Sequence, residues 1–127
     1  MSQKTVTEPG TRLGTHQLAT LLDSTQELIA ILGSDGTVLF ANEAFRHSLG
    51  YNPEELLGRS IHAIVHASDV AHIRERLQEV AALPGSSDRE RCRLRTRDCS
   101  WRWFELVCHN RLHDSGIEGI LLNAQDV

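Results

Sequence analysis

Two histidines stand four residues apart and could present their imidazole rings to a metal ion from one helix face. Imidazole is a frequent zinc ligand, and His62 and His66 have the i, i+4 spacing that such a helical pair requires. The surrounding residues match no metal-site motif, and two ligands alone leave a site incomplete. We therefore interpret both histidines as structural or surface residues and predict no metal site.

A basic and aromatic segment has residue types that suit single-stranded nucleic acid. Arginine recurs at every second position from Arg89 to Arg97, and Trp101 and Trp103 follow. Alternate residues of a strand share one face, so the five arginines would line one side of a strand. The whole chain is acidic, however, with 17 Asp and Glu against 13 Lys and Arg. We favour a solvated sheet face over a nucleic-acid site.

Catalytic motifs are absent from the sequence: it has no phosphate-binding glycine loop, no nucleophile motif and no paired acid and base. We expect no catalytic residue. The three cysteines, Cys92, Cys99 and Cys108, are odd in number and lack metal-ligand spacing, which favours reduced thiols in the cytoplasm. Cys99 falls in a predicted turn and is the best candidate for a redox role, but we interpret it as an incidental turn residue.

The N-terminal residues predict neither export nor membrane insertion. Residues 1–14 are polar and predict a flexible leader that runs into no apolar signal-peptide segment. The longest apolar runs, such as Leu28–Leu32, are far shorter than the roughly 20 residues that span a bilayer.

The pattern of helices and strands predicts one domain in the 127 residues. Residues 15–27 are predicted to form a short amphipathic helix, because their leucines have helical spacing. An Asp-Gly turn then joins two apolar strands, short helices bounded by Asn, Pro and Gly follow, and a longer helix starts near Ser68. Three more strands are predicted at about 89–97, 101–112 and 117–126. This order favours an α+β fold with a five-stranded antiparallel sheet and helices grouped on one face.

Several motifs, in this order, resemble a PAS domain, the sensory module of bacterial kinases, cyclases and phosphatases. Cys99 stands where that family usually has Gly. The matching segments are the opening hairpin and its Asn (28–42), N-x-A-F with L-G-Y (42–51), x-P-E-E-L-x-G (53–58), an H-x-x-D motif before the long helix (66–69), a W-R-W hairpin (95–105) and a closing Asp-Val (126–127).

The resemblance implies a PAS fold for residues 28–127 and a function in signalling. It implies a signal-sensing and protein-interaction module of a larger bacterial protein, with an output domain downstream. The resemblance also implies a homodimer and a small ligand between sheet and helices. The alternatives are a ligand-free dimerisation module, a haem sensor and a binder of single-stranded nucleic acid.

Cofactors known from other PAS domains find little support in this sequence. Haem-binding relatives hold iron through a His on the long helix, but the corresponding position here is Arg74, with His72 two residues earlier. Light-sensing relatives carry an N-C-R-F-L-Q motif that does not occur between Asn52 and Asp69. We expect neither haem nor flavin and leave any other cofactor unassigned.

The predicted register of the W-R-W hairpin decides which of its residues face the helices. A turn of two or four residues around Cys99 places Leu94 opposite Trp103 and Arg93 opposite Phe104. Arg93 would then lie over the Phe104 ring in a cation–π pair.

On this register Trp103 and Glu105 face the helices. A buried carboxylate is costly without a partner, so Glu105 either anchors a ligand or pairs with a nearby arginine, the interpretation that we favour. The inward residues form either a filled core or a ligand pocket. The pocket candidates are Phe45, Leu49, Leu57, Ile61, Ile64, Ile73, Leu77, Leu94, Trp103 and Glu105.

The same register puts Phe104 and Leu106 on the arginine face, where their apolar side chains need a cover. The N-terminal helix, or a second protomer, is the natural candidate. The predicted dimer or partner surface comprises Leu18, Leu21, Leu22, Phe104 and Leu106.

Overall fold

The computed structural model describes residues 26–127. The predicted leader (1–14) and the leucine stripe of the N-terminal helix (Leu18, Leu21 and Leu22) lie outside the described residues. No helix within the described part of the chain is long and apolar enough to cross a membrane.

The described residues form a five-stranded antiparallel sheet with helices on one face, as predicted. The strand order is β2-β1-β5-β4-β3, so the first and last strands of the chain pair at the centre of the sheet. The elements are β1 (Leu28–Leu32), β2 (Val38–Ala41), α1 (Ala44–Leu49), α2 (Pro53–Leu56), a 3₁₀ helix (Ile61–Ile64), α3 (Ala67–Ala82), β3 (Ser87–Arg95), β4 (Trp101–Arg111) and β5 (Gly119–Asp126).

Local sequence signals account for the short helices. Gly50 ends α1 with a φ of 89°, a conformation that glycine adopts without steric cost. Asn52 begins α2 through a reciprocal capping box with Glu55, and Pro53 occupies the first helical position. Two sharply bounded helices therefore fit between β2 and the 3₁₀ helix.

Asn42 joins two strands rather than capping a helix. Its side-chain oxygen accepts a hydrogen bond from the Ile29 backbone N–H at 3.1 Å, and its amide nitrogen donates to the Glu27 carbonyl at 2.9 Å. The residue is fully buried, so these bonds replace hydration that the amide loses on folding. The asparagine of the opening motif thus fixes the start of β1 against the end of β2.

Asn110 plays a corresponding part at the C-terminal end of α3. From its buried position on β4, its amide nitrogen donates to the carbonyls of Val80 at 2.9 Å, Ala81 at 3.2 Å and Leu83 at 3.2 Å. The last turn of a helix has carbonyls without helical partners, and this one amide satisfies several of them. The end of α3 is therefore held to the sheet by buried hydrogen bonds.

The core lies between the inner face of the sheet and the helices. Alternate residues of each strand point into it, as the two-residue period of a strand requires. The longest helix contributes Ile73, Leu77 and Val80. The inward strand residues include Leu28, Ala30, Leu32, Cys92, Leu94, Phe104, Leu106, Ile120, Leu122 and Ala124.

The predicted register of the β3–β4 hairpin is wrong by one residue. Cys92 pairs with Phe104 and Arg93 with Trp103, so every β4 residue lies on the opposite face from the one predicted. The physical reason is the turn. Thr96 N–H donates to the Ser100 carbonyl at 2.8 Å, which leaves a three-residue loop whose last residue is left-handed.

The corrected register exchanges the β4 residues predicted for the pocket with those predicted for the partner surface. Phe104 and Leu106 are buried among the helices, with Phe104 only 1% exposed, whereas Trp103 is 48% exposed on the arginine face. Arg93 accordingly lies over the Trp103 ring, 4.9 Å from its centroid, and not over Phe104. The ring of Phe104 contacts the Arg102 guanidinium instead, at 5.5 Å.

Cys99 has a φ of 71°, which explains why a glycine suits this position of the hairpin. We predict that Cys99→Gly raises the free energy of unfolding by about 1 kcal/mol, because it relieves the left-handed strain of a residue with a side chain. Cys99→Ala, which removes the thiol but keeps a Cβ, should give no such gain. Urea unfolding of both variants tests this, and equal stabilisation by Ala would contradict it.

The register itself can be tested by truncating neighbouring aromatic residues. Phe104→Ala should lower the free energy of unfolding by about 3–5 kcal/mol, because it opens a cavity in the core. Trp103→Ala should cost about 1 kcal/mol or less, since it removes mainly a partly exposed cation–π contact. Chemical denaturation measures both. A larger loss of stability in Trp103→Ala than in Phe104→Ala would contradict the observed register and support the one predicted from the sequence.

Candidate functional site

Most of the predicted pocket residues do come together between the sheet and the helices. Leu57 is exposed and belongs to no pocket there, and Trp103 and Glu105 lie on the other face of the sheet. These three are corrections to the predicted pocket. The residues that share the buried core are Phe45, Leu49, Ile61, Ile64, Ile73, Leu77 and Leu94.

The space that remains between α3 and the sheet is small. A cavity of about 30 Å³, which we call the inner cavity, has almost wholly apolar walls that include Leu32, Ile73, Leu106, Cys108 and Leu122. That volume holds little more than one water-sized molecule. The core is thus nearly filled, and a larger ligand would have to move α3 away from the sheet.

Charged side chains close the mouth of the inner cavity where α3 meets β3. Arg76 Nε lies 3.0 Å from Asp88 Oδ2 and 3.2 Å from Glu90 Oε2. One turn earlier on the helix, His72 Nε2 lies 2.7 Å from Glu90 Oε1. The hydrogen bond from Arg76 holds the pKa of Asp88 below its usual value, so this carboxylate is charged at neutral pH.

A third contact of this kind fastens the N-terminal end of α3. The Arg93 guanidinium donates two parallel hydrogen bonds, of 3.0 and 2.9 Å, to the Asp69 carboxylate. The Arg93 backbone N–H donates a third to the same carboxylate at 2.9 Å. These bonds hold the pKa of Asp69 below its usual value. We call this set of polar contacts the α3–β3 seam, which comprises Asp69, His72, Arg76, Asp88, Glu90 and Arg93.

The segment before α3 also protects the edge of the sheet. His66 N–H donates to the Arg93 carbonyl at 3.0 Å, and Val65 forms an isolated bridge with Leu94. Backbone groups on an edge strand would otherwise be open to pairing with another chain. The C-terminal end of β3 is therefore covered by the same residues that lead into the long helix.

The outer face of the sheet carries the tryptophans. Trp101 is 44% exposed, and its ring meets the His66 imidazole edge-on at 4.5 Å. Trp103 lies under the Arg93 guanidinium. Sequence reasoning put Trp103 on the wrong face, although its position two residues after Trp101 showed that both rings share one side of the strand.

Glu105 belongs to this outer face and has the arginine partners that we favoured over a ligand. Its Oε1 lies 2.9 Å from Arg89 Nη1, and its Oε2 lies 3.9 Å from Arg91 Nε. Phe104 and Leu106 are buried under the helices, so the partner surface predicted from them is wrong. The two tryptophans are the large exposed aromatic groups that the structure describes on this face.

The two spaced histidines do not share a helix face. His62 lies in the 3₁₀ helix, where it is buried and its Nδ1 has no hydrogen-bond partner, and burial lowers its pKa. His66 precedes α3, where its Nδ1 accepts from the Ser68 N–H at 3.0 Å. Among the described residues, no three His, Cys, Asp or Glu side chains are grouped so as to hold a metal ion.

Comparisons with known proteins agree on one family. Residues 22–127 match the family model described as "PAS fold". White collar 1 protein of Neurospora crassa is 27% identical over 85 residues, which are 67% of this chain but only 7% of that protein.

Solved structures share the fold. The PAS domain of an HTR-like protein from Haloarcula marismortui is 25% identical, with a TM-score of 0.72 over 89% of this chain and 91% of that one. The PAS domain of the RpfR quorum-sensing receptor from Cronobacter turicensis, in complex with C12:0, is 18% identical, with a TM-score of 0.67 over 81% of this chain and 95% of that one.

The three thiols should differ sharply in reactivity. Burial raises the pKa of Cys92 and of Cys108 to about 12, so both remain protonated near neutral pH, whereas Cys99 is exposed. Because the thiolate is the nucleophile, a thiol reagent at about pH 8 should modify Cys99 quickly and the other two only after unfolding. Cys99→Ser should leave no fast phase. A second fast thiol in the native protein would contradict the packing around the inner cavity.

Proposed function

The chain belongs to the PAS fold family, and we propose that it is a sensory and protein-interaction module of a larger bacterial signalling protein. The proposal includes an output domain elsewhere in that protein. The small share of White collar 1 protein that the match covers supports this, because there the related stretch is one part of a much longer chain. We place the module in the cytoplasm on the basis of its three free cysteines.

The observation that carries the proposal is the position of Arg93. Its guanidinium binds the Asp69 carboxylate at the start of α3 and also covers the Trp103 ring on the outer face. One side chain thus touches the helix that closes the inner cavity and the surface that a partner would contact. A displacement of α3 has to change the Arg93 contacts and so the environment of Trp103.

The sensing step in this proposal is entry of an apolar molecule into the inner cavity. Its walls are apolar and its mouth is closed by partly exposed ion pairs, which water can replace at little cost. The structure of the RpfR PAS domain, which shares this fold, has been solved in complex with C12:0. A ligand that binds only when α3 has moved outward would favour that arrangement in proportion to the difference in affinity.

A ligand-free dimerisation module is the second candidate. The nearly filled core and the two exposed tryptophans on the outer face favour it. In that case a homodimer would cover the outer face, and sedimentation would show association that depends on concentration. Native mass spectrometry of the freshly purified chain would then find no bound small molecule.

We call the proposed coupling of α3 to Trp103 through Arg93 the relay. It can be tested with C12:0 as the probe. Trp101 and Trp103 are the two tryptophans of the chain, so their fluorescence reports the outer face. We expect C12:0 to raise the melting temperature and to change tryptophan emission. Asp69→Asn should keep the first effect and lose most of the second, because Arg93 no longer follows α3.

Two further variants sharpen the test. Glu75→Gln removes an exposed carboxylate from the same helix and should behave like the unchanged chain. Cys108→Leu should fill the inner cavity and abolish both effects, whereas Cys108→Ser should retain them. A full fluorescence response in Asp69→Asn would disprove the relay. Absence of any bound molecule and of any C12:0 response would disprove the sensing step.

A further inference from the structure

A second and larger concavity lies on the other side of the 3₁₀ helix. It is bounded by α2, the 3₁₀ helix and the C-terminal end of β3, and its volume is about 280 Å³. We call it the arginine cleft. Sites for small molecules have volumes of roughly 300 Å³ and above, so this cleft is near ligand size while the inner cavity is not.

The arginine cleft is strongly basic in a chain whose net charge is −4. Arg59, Arg95 and Arg97 line it, and Glu55 is the single carboxylate among its lining residues. Arg97 pairs with Glu55. Among the residues that the structure describes, neither Arg59 nor Arg95 forms a salt bridge: Arg59 acts on Glu55 through its charge, and Arg95 interacts with the Tyr51 side chain. The lining therefore carries three guanidinium groups against one carboxylate. A concave wall focuses such charge and attracts anions.

The floor of the arginine cleft is apolar. It is built from Val38, Leu56, Ile61 and Ile64, all of which are buried in the core behind it. Guanidinium groups match the geometry of phosphate and carboxylate oxygens, and an apolar floor accommodates the body of an organic molecule. The lining therefore has two parts, each suited to a different portion of one ligand.

The wall that carries two of the arginines is fixed in place. The Tyr51 hydroxyl donates to the Arg95 carbonyl at 2.8 Å, and the Arg97 N–H donates to the Leu49 carbonyl at 2.8 Å. These bonds tie the backbone of both arginines to the helical side of the domain. Binding an anion would therefore need to order side chains only, which limits its entropic cost.

We propose that the arginine cleft binds a small organic oxyanion, with its phosphate or carboxylate group between the guanidinium groups and its apolar body on the floor. The site is separate from the inner cavity and from the outer face of the sheet. It nevertheless shares a wall with the inner cavity, because Ile61 lines both the arginine cleft and the inner cavity. A ligand in the cleft would therefore press on one wall of the proposed sensing cavity.

Nuclear magnetic resonance of the nitrogen-15-labelled chain tests the site. Phenyl phosphate and benzoate are the two oxyanion probes, phenol provides the body without the charge, and inorganic phosphate provides the charge without the body. We expect phenyl phosphate or benzoate to shift the backbone amide signals of Ser60, Ala63 and Arg97, with an affinity that falls as salt is added. Whichever of phenyl phosphate and benzoate binds more tightly identifies the preferred oxyanion. Phenol and inorganic phosphate should each bind more weakly.

Charge-removing variants complete the test. Arg59→Gln should weaken binding about tenfold without breaking a salt bridge. Arg97→Gln should weaken binding as well, although it also breaks the ion pair between Arg97 and Glu55. Arg111→Gln, which removes an exposed arginine at the far end of β4, is the matched control and should have no effect. Unchanged affinity in Arg59→Gln, equal binding of phenol, or shifts confined to Leu106 and Leu122 of the inner cavity would overturn the proposal. None of these results depends on the response to C12:0.

Discussion

The three-residue turn between β3 and β4 determines which side chains of this domain are inside and which are outside. Because strand residues alternate faces, the length of that turn decides between two complete sets of β4 residues. With three residues, Phe104 and Leu106 complete the core, and Trp103 and Glu105 join the arginines on the outer face. The inner cavity, the Glu105 ion pairs and the cation–π contact of Arg93 all depend on the odd number of residues in this turn.

The hairpin in turn supplies the partners of α3. Its apolar inward residues hold the middle of the helix, and its charged residues at the edge form the α3–β3 seam. The two kinds of contact differ in how they respond to disturbance. Apolar contacts in a packed core resist separation, whereas partly exposed ion pairs can exchange with water. The domain therefore has one edge along which it can open without loss of its core.

The order and type of the elements were predictable because their signals are local. The Asp-Gly turn, the Gly50 stop and the Asn52-Pro53 start each act within a few residues, and the structure uses all of them. The hairpin register was not predictable from alternation, because both faces of β4 carry aromatic and aliphatic residues. The arginine cleft was missed for another reason: Arg59 is far in sequence from Arg95 and Arg97, and only the packing of the 3₁₀ helix brings them together.

The two ends of α3 are held by unlike bonds, so in the proposed sensing step this helix would act as a lever. At its C-terminal end, the buried Asn110 amide donates to the carbonyls of Val80, Ala81 and Leu83, so this end would be the pivot in the proposed movement of α3. At its N-terminal end, Asp69 holds Arg93 through a salt bridge within reach of water. The helix has 16 residues, which gives an arm of about 24 Å. A tilt of about 5° at the pivot would then carry the N-terminal end about 2 Å, so the largest displacement of the helix would fall where Arg93 meets the tryptophans.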